Sequence, residues 1–292
     1  TGAMGAFAAG LGHTDIAYVL MNGVIWFRVP ETMLFRLMGK KPDYIMAKDM
    51  ILSIIGEVGT DGANYKAMQF SGEIIKQLPM EERLTLTNMT TEGGAKNGII
   101  EADETTEQYI RERTEVKYSS LAGDDNAEFS EVFDYEIDKM EPIVAKPFSP
   151  GNISAARDLQ GVEINKAYIG SCTGAKLEDL RLAAKFMKGK KVRIRTEVLP
   201  ATQSIFLKAM NEGLINTFVE SGAVVGPPTC GACCGAHMGV LGKDEICIST
   251  TNRNFPGRMG HVESQTYLAS PIVVAASSLT GKITDPRDAV KN

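Results

Sequence analysis

The sequence contains no apolar run approaching the roughly 18 residues needed to span a bilayer. The longest candidates, residues 16–27 and 269–279, are interrupted by polar residues or too short. Its start has no basic stretch ahead of an apolar one, so no signal peptide is expected. Basic charge is not in excess: 31 Lys and Arg stand against 36 Asp and Glu, a net charge of −5. That balance argues against a nucleic-acid surface. Cysteine is scarce and odd in number, at five. Without a secretory signal, a disulfide framework is not expected, and closely spaced thiols point to metal or redox chemistry instead. There is no internal repeat and no low-complexity tract. What is present is ordinary for a globular protein: 292 residues, 43% hydrophobic and 23% charged. This is long enough for two domains with real cores. A cytoplasmic protein with no membrane and no nucleic-acid partner is the expectation.

Along the chain, Thr14 and Asp15 can cap a short helix with Ile16, Val19 and Leu20 on one face. Phe27 and Val29, then Met33, Phe35 and Leu37, alternate around Pro30 and predict strands. Residues 47–58 place Met50, Ile51, Ile54, Ile55 and Val58 at helical spacing, with Gly56 and Gly59 marking the end. Strand and helix signals continue to about Lys117. An acidic polar stretch follows, and Pro142, Pro147 and Pro150 punctuate an expected linker. From residue 164 the pattern is regular. Strands are predicted over 166–170, 192–199, 223–225 and 246–249, and helices over 177–187, 202–212, 214–220 and 269–279. Alternating β and α argues for a parallel sheet with helices on both faces. In such sheets ligands gather in loops beyond the carboxyl ends of the strands.

The unusual residues fall in those loops. Cys172 follows the strand 166–170. Cys230 and Cys233 form a Cys-x-x-Cys pair after the strand 223–225. Three thiolates can hold one metal centre, and the Gly and Pro around them let backbone approach a bulky group. The same residues also fit a redox pair, or a structural zinc site completed by His237. Read alone, Cys172 also fits a small buried hydrophobe. Iron–sulfur electron carriers use four cysteines per cluster. Three would leave the open position that Lewis-acid catalysis needs. Arg253 and Arg258, in the loop 250–258, suit two carboxylates by bidentate pairing, and equally suit two solvated surface positions. Glu92, beside Gly93 and Gly94, is either an acid/base group or a surface residue in a turn.

Together these segments carry a resemblance. GSCTGAKLEDLR (170–181), PTCGACCGAHMGVL (228–241), STTNRNFPGRMG (249–260) and TNMTTEGGAKNGII (87–100) resemble, in the right order, four motifs of the aconitase family. AKDMILSIIGEVGTDGANYKAMQFSGE (47–73) resembles that family's second domain, so the likeness covers essentially the whole chain. The compact Cys-x-x-Cys loop and ASPIVVAASSLTG resemble the two-subunit isopropylmalate dehydratase and homoaconitase branch more than single-chain aconitases.

The resemblance implies three-layer α/β/α domains with mixed and parallel sheets. It implies a remnant of a truncated first α/β domain at 1–24, a second α/β domain at 25–117, and a third at 118–292. It implies a 4Fe-4S cluster held by Cys172, Cys230 and Cys233 with its fourth iron open. Arg253 and Arg258 would hold substrate carboxylates, with Asn252 nearby. Glu92 would pair with iron-bound water and Asn88 would support the site. The reaction implied is dehydration of a small 2-hydroxy di- or tricarboxylic acid, then rehydration with the hydroxyl on the neighbouring carbon. The catalytic serine would come from a separate small, swivelling subunit. Homocitrate, dimethylmalate and citramalate are alternative substrates, and a zinc-stabilised interaction domain is the alternative from another class. An RNA-binding relative is disfavoured by the acidity.

The sequence departs from the family pattern at three places. Gly174 stands where Asn is usual after the Cys-Thr pair. Cys234 stands where an apolar residue is usual, while Cys247 falls within a strand and reads as core. The family's Asp-Ser-His-Thr motif would precede the stretch matched by residues 1–12, and His13 is not one of its histidines. The start at Thr1 reads as a crop inside a packed element, and the 292-residue chain alone is expected to be inactive.

Overall fold

The computed structural model describes residues 2–289. The chain forms two compact units. One runs to Lys40 and resumes over Asp61–Ile137; the other comprises Lys41–Thr60 and the chain from Asp138 onward. The sequence reading placed boundaries after residues 24 and 117. The segment before residue 25 lies in the same unit as the sheet that follows it, where Gly2 bridges Ile99, and residues 41–60 lie in the second unit.

The first unit begins with helix α1 (His13–Asn22), which buries none of its residues. Strand β1 (Thr32–Met38) follows. Residues 27–29, expected as strand, are outside any element. After the excursion into the second unit, which carries helix α2 (Ala47–Val58), come β2 (Ala67–Ser71), α3 (Glu73–Gln77), α4 (Met80–Asn88), β3 (Asn97–Ile100), α5 (Glu104–Arg111) and β4 (Glu131–Glu136). The four strands make a parallel sheet in the order β3-β2-β1-β4. In β1, Met33, Phe35 and Leu37 point into the core while Arg36 and Met38 are exposed, the two-residue period of a strand with one face buried. Strand β4 falls in the stretch read as acidic and polar, ahead of the expected linker. Its Phe133 ring stacks on Phe35 at 5.0 Å, and Asp134 pairs with Arg36 in register. Cross-strand contact of this kind orders an edge strand whose own pattern is solvated. Buried Arg83 of α4 makes a two-pronged bond to Asp103, at 2.7 Å on each prong. Asp103 also caps α5, so one ion pair joins the two helices.

The second unit holds α2, whose Met50, Ile51, Leu52, Ile54 and Ile55 are fully buried. Gly56 lies inside this helix rather than at its end, and a Cβ there would meet the Ile153 side chain at 2.4 Å. Then follow β5 (Ile143–Ala145), β6 (Ile153–Ala155), β7 (Lys166–Ile169), α6 (Leu177–Met187), β8 (Arg195–Val198), α7 (Gln203–Asn211), α8 (Leu214–Glu220), β9 (Val224–Val225), β10 (Ile246–Ser249), β11 (Gln265–Ala269), α9 (Pro271–Thr280) and α10 (Pro286–Ala289). Seven strands form a mixed sheet in the order β6-β5-β11-β10-β7-β8-β9. Strands β11, β10, β7, β8 and β9 are parallel, and β5 pairs antiparallel with both of its neighbours. The α/β architecture expected from the alternating pattern is the one formed. The run 269–279, expected as one helix, is split: Ala269 ends β11, and α9 starts at Pro271, whose missing N–H costs nothing at a helix start.

All four residues of β7 are buried, but its two faces are covered differently. Ala167 and Ile169 join the core built with α6 and α9. Tyr168 packs instead with Leu199, Ala232, Leu241, Cys247 and Met259. The chain winds from β7 through β8 to β9, then returns to the other side of β7 for β10 and β11. The sheet order therefore reverses between β7 and β10. Their carboxyl-end loops diverge there, which is where open α/β sheets bind ligands. Among the described residues no helix is long and apolar enough to cross a membrane.

Candidate active site

The loop after β7 carries Ser171, Cys172 and Thr173, and the loop after β10 carries residues 250–258. These are the two loops of the switch point. Thr250 joins them: its hydroxyl accepts from the Gly170 N–H at 2.9 Å and donates to the Gly170 carbonyl at 2.8 Å. The Thr173 hydroxyl donates to the Thr250 carbonyl at 3.0 Å. From α2, the buried Lys48 ammonium reaches Thr173 Oγ1 at 3.1 Å and the Thr250 and Thr251 carbonyls at 3.0 and 2.7 Å. Contact is so close that a Cβ on Gly174 would lie 2.1 Å from Thr250 Cβ. Only glycine fits there without moving the neighbouring loop. Ser171 has φ of 76°, a conformation that costs a non-glycine residue about 1 kcal/mol or more. Lys176 Nζ bonds the Cys172 carbonyl at 3.2 Å.

Cys230 and Cys233 occupy the segment after β9, with Gly231–Cys234 in a short 3-10 turn. This segment lies on the face of β7 opposite the helices. The Tyr168 hydroxyl donates to the Cys230 carbonyl at 2.8 Å, and the Cys233 N–H donates to the same carbonyl at 2.9 Å. Gly231 has positive φ and its Cβ position is filled by Leu199 and the Tyr168 hydroxyl, so a side chain is excluded where Tyr168 holds the turn. Below it, the buried Lys166–Glu197 pair at 2.9 Å bonds the Gly239 carbonyl, anchoring the far end of the segment.

Cys233 is where the three segments converge. Burial raises its thiol above the usual range, opposed by the Arg258 guanidinium and reinforced by Cys172. The Arg258 and Ser171 side chains both favour its thiolate form, and its sulfur lies 3.9 Å from Asn252 Oδ1. Cys172, Cys233, Asn252 and Arg258 are thus brought together, and Cys230 is held at the head of the same short turn as Cys233. Arg253 is half-buried in the same loop. Asn254 next to it is fully buried and donates to the Lys146 and Thr266 carbonyls at 2.9 and 3.2 Å, which fixes the loop between the two arginines. Asn88 and Glu92 belong to the first unit. Asn88 ends α4 and, with Thr87, Thr90, Thr91 and Asn97, lines a pocket of about 200 Å³. Glu92 is buried in the 3-10 turn Met89–Gly93.

Lys48, Tyr168, Thr250 and Asn254 escaped the sequence reading. Lys48 alone left a trace, as a lysine at the head of a largely apolar helix. None of the five cysteines is in a disulfide, and Cys247 is buried in β10 as expected, its thiol pushed up to about 12 by desolvation. Among the described residues no group of three or more His, Cys, Asp or Glu is placed to hold a metal ion. The zinc arrangement with His237 is therefore not assembled; His237 is exposed, with φ of 64°. The three cysteines likewise do not meet at one point. A single ion draws its ligands to about 2.3 Å of one centre, whereas in an iron–sulfur cluster each thiolate takes its own iron. The donor set of three thiols outside any disulfide, on glycine-bearing loops, fits such a group. So does the buried Arg258 Nε, which has no hydrogen-bond partner and is available to an anion.

The chain matches the model of the aconitase family (aconitate hydratase) over residues 1–159 and 152–281. It is 48% identical to the 3-isopropylmalate dehydratase large subunit of Aquifex aeolicus, over 99% of this chain and 69% of that protein. The large subunit from Clostridium kluyveri is 49% identical over the same shares. Large subunit 1 from Pyrococcus abyssi is 48% identical over 99% and 70%. With a family model matched along nearly all of its length and close relatives throughout, the chain belongs to the aconitase family.

Proposed function

We propose that this chain is the cluster-carrying large subunit of a 3-isopropylmalate dehydratase, a hydro-lyase of leucine biosynthesis. The observation that carries the reading is the convergence on Cys233 of Cys172, Arg258 and Asn252 from the switch-point loops. Relatives named for this activity at 48–49% identity support it.

Cys172, Cys230 and Cys233 would hold a 4Fe-4S cluster. When bound, the cluster supplies an open iron that polarises the substrate hydroxyl as a Lewis acid. Arg258 and Arg253 hold the two substrate carboxylates by paired N–H bonds, the geometry that guanidinium matches best. Asn252, beside Cys233, orients the substrate next to the thiolates. Glu92 holds the proton that leaves with the hydroxyl as water, and Asn88 supports it. The C–H proton on the neighbouring carbon goes to a serine of a small partner subunit. Loss of that proton and of hydroxide forms the alkene diacid, and water adds back in the opposite sense. The two carboxylates are common to isopropylmalate, homocitrate and the citramalate-type acids. The third substituent separates them, and the small subunit reads it.

The test is turnover by the anaerobically reconstituted complex of the full-length large subunit and the small subunit across that panel, followed by absorbance of the alkene product. Turnover of 3-isopropylmalate above the other acids is expected. Turnover confined to another acid reassigns the substrate, and no turnover of any removes the reading.

A further inference from the structure

Lys48 occupies a costly position. It lies in the first turn of α2, where the helix dipole opposes a cation, and it is 1% exposed, so its charge is also desolvated. An ammonium has three N–H donors, and its acceptors here include Thr173 Oγ1, Thr250 O and Thr251 O. The first belongs to the loop of Cys172 and the other two to the loop of the arginines. No other side chain of α2 makes such a bridge among the bonds described. The neighbouring Asp49 holds the helix start through the Met46 and Ile143 N–H groups, so Lys48 reaches the loops from a fixed base.

We propose that Lys48 is a positioning residue that fixes the spacing between the loop of Cys172 and the loop of Asn252, Arg253 and Arg258. It thereby sets the register of the substrate carboxylates against the cluster. The inference rests on the active-site reading above. Misplacement of a bound substrate by about 1 Å costs on the order of a hundredfold in rate, so a loosened spacing acts on turnover more than on affinity.

The experiment compares wild type, Lys48→Met, Lys48→Arg and Thr173→Val. It measures kcat and KM per cluster in the reconstituted complex, iron content, and amide hydrogen exchange in the cluster-free large chain. For Lys48→Met, residues 171–176 and 250–258 should exchange together roughly tenfold faster, while α9 is unchanged. Turnover per cluster should fall about a hundredfold, with KM little changed and partial recovery in Lys48→Arg. Wild-type exchange in both loops overturns the proposal. So does an activity loss that only follows iron loss, with turnover per cluster intact. If Lys48→Met does not fold, Thr173→Val removes one acceptor and should show the same paired loosening at smaller size; its absence is equally fatal. If the wild-type complex turns over no hydroxy acid, the proposed function falls, and the exchange data still decide whether Lys48 couples the loops.

Discussion

At the scale of single residues, the site is shaped by what cannot be changed as much as by what reacts. Gly174 has no room for a side chain. Its Cβ position is filled by Thr250, including Thr250 backbone. Gly174→Asn is therefore expected to destabilise the second unit by about 1–3 kcal/mol, as overpacking does. It should also lower iron retention, because the displaced loop carries Cys172. Thermal unfolding and iron analysis of Gly174→Asn and Gly174→Ala check this, and wild-type values for both variants would refute it. Cys233 makes a related point. Its thiol is held protonated by burial while Arg258 pulls the other way, so a cation already stands where a thiolate ligand would form.

Among elements, α2 serves the site most. Its Asp49 is fully buried and carries a pKa raised to about 6, chiefly by desolvation, against the backbone N–H bonds from Ile143 and Met46 that favour the charged form. Because the folded value is raised, its contribution to stability is full below the unfolded pKa near 4. It is lost as pH rises through about 6, where the folded group ionises as well. Across that window wild type should lose on the order of 3 kcal/mol that Asp49→Asn does not lose. The difference between their pH–stability curves measures it, and parallel curves would contradict it. The same helix shows how much was legible beforehand. Residues 47–58 declared a helix by the spacing of their apolar side chains, and β10 declared itself as four apolar or small residues between turns. Strand β4 was hidden because Phe133 and Tyr135 alternate with acids and gain their order only from stacking on Phe35. Strand β11 was hidden because its apolar residues run into those of α9, and periodicity does not divide a short continuous run. At the site, cysteines and arginines stood out because such residues are rare in strand-end loops. Lys48, Tyr168 and Thr250 are ordinary residue types, and only their tertiary approach to the loops gives them a role.

Over the whole molecule, the two units divide the proposed work. The second holds the three cysteines, both arginines and the helix that braces them, all on loops beyond the carboxyl ends of a mixed sheet. The first holds Asn88 and Glu92 at the end of α4, which is tied to α5 through Arg83 and Asp103. The central claim is that Cys172, Cys230 and Cys233 together hold an iron–sulfur cluster. Its most direct test is anaerobic reconstitution of the chain with iron and sulfide, followed by metal analysis and visible spectroscopy, beside Cys172→Ser, Cys230→Ser and Cys233→Ser. The account predicts brown protein with about four irons per chain, and loss of most of that iron in each variant. Colourless protein that binds one zinc ion, or a full iron complement in any of the three variants, would contradict it.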